Sequence, residues 1–363
     1  MARTQQQASS ALRPGWTTGA CATAATKAAY TALLTGEFPD PVSITLPKGQ
    51  TPAFALTAES LSRTQASASV TKDAGDDPDV THRAVITVTV REGPAGVRFV
   101  AGPGVGTVTK PGLPLAVGEP AINPVPRQMM QGVIAEVAEE HGGTGSVVVE
   151  ISVAGGAEIA THTWNPRLGI LGGLSILGTT GIVVPYSCSA WIDSIRRGID
   201  VARAAGHTHV AGCTGATSER VVSELYGLPD DALLDMGDFA GAVLKYLRRH
   251  PVPRLTIAGG IGKLSKLADG HLDLHSGRSQ INRQLLAELT VTAGGTEALA
   301  AQVLAANSAL HALQLCQEHG LVLGDVVAAR ARIAALQVLR GAEMEIGVDV
   351  VVIDRSGTIV GRG

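Results

Sequence analysis

From Asn165-Pro166 onward, short apolar runs alternate with stretches of helical spacing. This alternation constrains the fold more than any other feature of the chain. The pattern predicts helix over 189–205, strand over 209–211, helix over 217–226, strand over 232–235, helix over 239–249 and strand over 254–258. That order belongs to a parallel sheet with crossover helices. Three of the strands run into small-residue turns: Gly212-Cys213-Thr214-Gly215, Gly237-Asp238 and Gly259-Gly260-Ile261-Gly262. Ligands of open α/β sheets bind outside the carboxyl ends of the strands, where such turns lie. Helices dominate 280–341, and 348–353 with 358–360 predicts a closing hairpin around Arg355-Ser356-Gly357. No adjacent strand follows it, so it is expected to pack back on the first half.

The first half reads differently. A polar leader (1–12) precedes Trp16-Thr17-Thr18-Gly19-Ala20, which opens an alanine-rich run to Leu34. Alanine favours helix, threonine can cap the start, and Gly36 suits the stop. Strands are expected at 42–46, 53–57, 66–71, 84–90 and 97–100, a helix at 127–140, and a hairpin from 146–153 and 158–163 through Gly155-Gly156. The expected organisation is therefore four parts. They are the leader, an α+β domain over 13–164 with a largely antiparallel sheet, a Rossmann-like α/β domain over 165–341, and the hairpin of 342–363.

Composition narrows the function classes. A hydrophobic content of 45% with 17% charged residues describes a globular protein. Aromatics at 3% and a net charge of −3 argue against nucleic-acid binding. Cys21, Cys188, Cys213 and Cys316 lie far apart, with neither disulfide nor metal spacing, and buried small apolar residues are the expected role of Cys188 and Cys213. The amino terminus lacks a signal-peptide core. Residues 168–187 are uncharged, yet five glycines make them a loop-rich segment and not a membrane span. A cytoplasmic enzyme, free of membrane, is expected.

Four segments could carry chemistry. Residues 72–82, Lys-Asp-Ala-Gly-Asp-Asp-Pro-Asp-Val-Thr-His, form the densest polar cluster, in which Asp73 or His82 could move a proton. The alternative is a solvated loop of Asx turns. Residues 107–127 carry five prolines in a stiff arm, where Lys110 and Arg127 could meet carboxylates or simply flank a connector. Thr179-Thr180-Gly181 could offer backbone N–H groups to a carboxylate or ribose, or serve close packing. The Gly259–Lys263 turn resembles a nucleoside-binding loop without the P-loop pattern. His271, Asp273 and His275 lack a third metal-ligand pattern, and an exposed loop is expected there; no metal is assigned.

Taken together, four motifs resemble one family: RPGWTTGACATAA from Arg13, KDAGDDPDVTH, TKPGLPLAVGEPAINPVPRQM and NPRLGILGGLSILGTTGIVVPYS. They are similar to those of CbiD, the cobalt-precorrin-5B C(1)-methyltransferases, over residues 12–280. The chain departs from the family pattern at Arg83, where glycine is usual, and at Cys213 and Gly260. The resemblance implies S-adenosylmethionine as donor and an anionic cobalt tetrapyrrole as acceptor. It also implies methylation of carbon 1 to give cobalt-precorrin-6A. Asp73 or His82 would take any departing proton. Thr17, Thr18, Gly19, Lys72, Asp76, Asp77, Lys110, Arg127 and Arg167 would hold the substrate. Thr179, Thr180, Gly181, Gly215, Asp238, Gly259, Gly262 and Lys263 would hold the donor. Self-association or transient contact with neighbouring pathway enzymes is compatible with this reading. Two other readings are a corrinoid carrier without turnover and a nucleotide-binding α/β enzyme.

Overall fold

The computed structural model describes residues 12–363. The chain divides between Cys188 and Ser189 into two units of mixed α/β structure. In the first, the alanine-rich run forms α1 (Thr18–Thr35), with the Thr17 hydroxyl accepting from Ala20 N–H and Gly36 closing the helix at φ 87°. Small side chains let this helix sink: every residue from Thr18 to Thr26 is buried. The hydroxyls of Thr23 and Thr26 donate back to Gly19 and Ala22 carbonyls, so their burial leaves no polar group unpaired.

Helix α1 packs on a five-stranded sheet and on α2 (Pro124–His141). The sheet comprises β1 (Ala58–Leu61), β2 (Gln65–Thr71), β3 (Val85–Glu92), β4 (Val97–Ala101) and β5 (Val147–Val153), in the order β1-β2-β3-β5-β4. Every neighbouring pair is antiparallel except β5 with β4. The alternation in β3 buries Ile86, Val88 and Val90, while Thr87 and Thr89 bond Ser69 and Ser67 across the strands at 2.8 Å.

Two expectations for this half need correction. Residues 158–163 do not form a strand; Gly156–Ala160 is a short helix, α3. Strand β5 already has β3 on one side and β4 on the other, so no edge remains for a hairpin partner. The Asn165–Ser187 stretch also belongs to the first unit. Ile170–Leu171 pairs with Thr107–Val108, Gly173–Leu174 with Gly104–Val105, and Ile182–Val183 with Gly15–Trp16.

The second unit follows the predicted alternation: α4 (Ser189–Ala204), β6 (His209–Cys213), α5 (Ala216–Tyr226), β7 (Leu233–Asp235), α6 (Ala240–Leu247), β8 (Arg254–Gly260) and α7 (Ile261–Ala268). Four helices follow, α8 (Arg283–Thr292), α9 (Glu297–Leu304), α10 (Ala309–Glu318) and α11 (Leu323–Leu339), then β9 (Gly347–Ile353) and β10 (Ile359–Arg362). The sheet order is β7-β6-β8-β9-β10, parallel except for β10. The closing hairpin therefore completes this second sheet, correcting the expected docking on the first half. The reason is that β8 still has a free edge, and β9, buried over Val350–Val352, fits a position covered on both faces. Helices α5 and α7 leave from β6 and β8, the strands between which the chain reverses its direction of addition.

Candidate functional site

In the first unit the acidic loop is a clasp. Both guanidinium nitrogens of Arg13 reach Asp73, one of them at 2.9 Å, and Gly75 N–H bonds the same carboxylate at 2.9 Å. Arg13 N–H donates to Asp76 at 2.6 Å, Asp76 N–H returns to Arg13 O, and Trp16 N–H bonds Asp73 O. The backbones touch. A Cβ on Gly15 would lie 2.0 Å from Ala74 C, and one on Gly75 (φ 68°) would lie 2.1 Å from Arg13 O. The glycines of the Arg-Pro-Gly and Asp-Ala-Gly motifs are therefore the price of this interlock.

The two residues expected to move a proton here both have partners within the loop. The hydrogen bonds from Arg13 hold Asp73 down to about 2, which makes it a weak base. His82 Nδ1 accepts from Ala74 N–H at 3.1 Å, so its ring lone pair is engaged. Asp76 and Asp77 spend a carboxylate oxygen each on the N–H groups of Arg13 and Tyr186. Lys72, 2% exposed, is paired with Asp79 at 2.6 Å instead of reaching a ligand. Burial alone would raise the Asp79 carboxyl, but the Lys72 charge and hydrogen bonds from Lys72 and Thr81 outweigh it and lower it.

Thr17, Thr18 and Gly19 are likewise not an open anion site. Residues 177–181 cover them: Thr17 N–H bonds Gly181 O, Gly19 N–H bonds Leu177 O, and Thr18 Oγ1 accepts from Leu177 N–H. The Thr17 and Gly19 N–H groups are thus already used on carbonyls of this segment. Thr179, Thr180 and Gly181 belong to the first unit, whereas the mostly parallel sheet belongs to the second, and the Thr180 hydroxyl accepts from Ile182 N–H. Arg127 pins the proline arm, donating to Ile122 O and Pro120 O and pairing with Glu119 at 2.9 Å. Lys110 lays its stem along Gly169, and Arg167 stacks on Trp164 at 4.9 Å; both are half-buried.

The second unit brings two of its three glycine turns, those at Gly215 and Gly260–Gly262, to one cavity of about 460 Å³ at the carboxyl ends of β6, β8 and β9. Gly215 and Gly262 line it, as do Thr214, Gly260, Ser308 and Arg355. A Cβ on Gly215 would meet nothing within 4 Å, and on Gly260 or Gly262 only one atom, at 4.0 and 3.9 Å. These glycines border open space that a side chain would fill. A sheet ordered second-first-third-fourth binds its ligand at the reversal between its first and third strands, here β6 and β8. The volume falls within the few hundred to about 1,000 Å³ usual for small-molecule sites.

Gly259, Asp238 and Lys263 support this cavity from behind. A Cβ on Gly259 would lie 2.4 Å from Thr214 Oγ1. Lys263 Nζ donates to Thr214 O at 3.1 Å and sits 3.1 Å from Asp238 Oδ1. That oxygen is buried without a hydrogen bond, so the contact is an ion pair of poor angle. Sequence reasoning missed Asp79, the partner of Lys72, and Ser308 and Arg355, which reach the cavity from remote segments. The Ser308 position before a helix was the one available signal. In the loop expected to be exposed, Asp273 pairs with Arg278 at 2.6 Å and His275 Nδ1 accepts from Gly277 N–H. Among the described residues no helix is long and apolar enough to cross a membrane.

Fold and cavity thus define a two-unit α/β protein with a small-molecule pocket at the reversal point of a mostly parallel sheet. The sequence comparisons are more specific. The chain belongs to the CbiD family: the CbiD profile matches residues 5–185 and the CbiD C-terminal domain profile residues 273–363. The chain is 59% identical to a cobalt-precorrin-5B C(1)-methyltransferase of Brucella anthropi, over 99% of this chain and 97% of that protein. It is 59% identical to the protein of the same name from Paramagnetospirillum magneticum, over 97% of this chain and 98% of that one. Among solved structures, the cobalamin biosynthesis protein (cbiD) from Archaeoglobus fulgidus is 28% identical. It aligns with 68% of this chain and 76% of its own, at a TM-score of 0.40.

Proposed function

We propose that this chain is an S-adenosylmethionine-dependent C-methyltransferase. It would methylate carbon 1 of cobalt-precorrin-5B, giving cobalt-precorrin-6A in the assembly of the corrin ring, in the cytoplasm. The observation that carries the reading is 59% identity, sustained along 99% of the chain, to a protein named for that reaction.

The donor, when bound, supplies an electrophilic sulfonium methyl group. The chain's part is to bind and align: methyl and ring carbon must approach within about 3–3.5 Å, and fixing that approach can contribute several kcal/mol to the rate. The glycine-bordered cavity suits the donor, with Gly215 and Gly262 leaving room and Gly259, Asp238 and Lys263 stiffening the wall. Lys110 and Arg167 are two half-buried cations of the first unit whose charge suits acetate and propionate arms. With Asp73 and His82 engaged elsewhere, the reading needs no side chain as base; an electron-rich macrocycle can attack the methyl directly.

The test is mass spectrometry of cobalt-precorrin-5B incubated with the protein and methyl-labelled S-adenosylmethionine. One labelled methyl at carbon 1 is expected. Corrinoid recovered bound but unmethylated would replace the reading with a carrier. The bare helix starts at the cavity also favour a nucleotide phosphate; strong binding of ATP or NAD without any response to S-adenosylmethionine would favour that enzyme class.

A further inference from the structure

We infer that Arg355, on the turn between β9 and β10, is the cation that holds the carboxylate of the methyl donor's amino-acid arm in the second-unit cavity. The inference rests on the donor-site reading above and names a binding residue that it lacks.

The cavity wall offers donors to an anionic group. Helices α5, α7 and α10 all begin on its wall, at Gly215-Ala216, Gly260-Ile261 and Ser308-Ala309. Ser308 caps α10 through His311 N–H, but α5 and α7 start at glycine with no side chain capping them. Their first N–H groups lack partners inside the helix and carry the positive end of its dipole. Glycine at both starts also keeps the approach free of side-chain atoms.

Arg355 supplies the full charge. It lines the cavity and is exposed, and no ion pair to it is found among the described residues. Asp354 also lines the cavity; its Oδ1 accepts from Ser356 N–H, Ser356 Oγ and Thr358 N–H and so shapes the turn that carries Arg355, and no ion pair joins the two side chains among the described residues. Thr214 and Thr217 also line the cavity. An arginine and two uncapped helix starts lining one cavity match a carboxylate, which can take a forked pair from the arginine and further N–H donors from the helices. The tetrapyrrole also carries carboxylates, so the test must separate the two sources.

The experiment compares binding of S-adenosylhomocysteine and 5′-methylthioadenosine by calorimetry. The two share nucleoside and sulfur, but only the first has the amino-acid arm. Wild type should prefer S-adenosylhomocysteine by at least about tenfold, the usual scale of a charge-assisted hydrogen bond. Arg355→Gln should bind both alike, and Arg355→Lys should recover part of the preference. Gly262→Phe and Gly215→Leu, each checked for native circular dichroism, should weaken both ligands. If these filled-cavity variants block both ligands while Arg355→Gln keeps the wild-type preference, the arginine assignment falls and the donor site stands. If the filled cavity leaves both affinities intact, the donor-site reading falls and the assignment with it. No wild-type preference, or an Arg355→Gln effect confined to KM for the tetrapyrrole, also overturns the assignment.

Discussion

Replacing Asp79 by asparagine tests whether the acidic loop is a structural clasp. The Lys72 side chain is 1% exposed and its ammonium lies 2.6 Å from Asp79 Oδ2. Asparagine retains an oxygen for Thr81 N–H and the Thr81 hydroxyl, now 2.7 and 2.6 Å from Oδ1, so the change isolates the charge. A buried ammonium left without its partner costs about 3–5 kcal/mol. At roughly 2–4 °C per kcal/mol for a unit of this size, the first unit should melt about 6–20 °C lower. Lys72→Met should cost less, because Asp79 is 23% exposed and can hydrate. The double variant, Lys72→Met with Asp79→Asn, should recover much of the loss, since a neutral pair leaves no buried charge without its partner. Because two units need not unfold together, the assay is hydrogen exchange read by mass spectrometry on β2 and β3, with β8 and β9 as internal reference. A loss below about 1 kcal/mol, the scale of an exposed ion pair, would refute the argument. So would Lys72→Met proving the more damaging single change.

Other outcomes follow from the same geometry. Gly75→Ala combines a left-handed φ of 68° with a 2.1 Å approach to Arg13 O, so it should cost more than about 3 kcal/mol in denaturant titration; a near-neutral result would dissolve the interlock. Arg83 holds φ 65°, a left-handed conformation that glycine adopts without steric cost, and Arg83→Gly should gain up to about 1 kcal/mol in the same titration. Acid should loosen the first unit. Asp73 and Asp79 are both held below their ordinary 3.8, so the stability they add is present above about pH 4 and is lost as pH falls toward the folded values, about 2 for Asp73. An Asp73→Asn chain should lose less stability between those limits, and acid titrations of equal slope would contradict this.

Much of the architecture was legible in the chain. The alanine run marked α1, the alternation through residues 84–90 marked β3, and the strand–helix alternation from His209 marked the parallel sheet and its glycine turns. Each is a local signal: helix propensity, a period of two, or a small residue where the backbone must turn. What the sequence left open was which groups would be consumed by the fold. Thr17-Thr18-Gly19 reads as a free helix start until residues 177–181 close over it, 159 positions along the chain from Thr18 to Leu177. Asp73 reads as a base until Arg13, 60 positions away, binds it. The cavity likewise draws Gly215, Gly262, Ser308 and Arg355 from four separate segments. Residue type and spacing set local conformation, because those preferences act over a few residues. Tertiary structure alone decided which donors, acceptors and charges were spent on the fold and which were left for a ligand, because their partners are brought together only when distant segments pack.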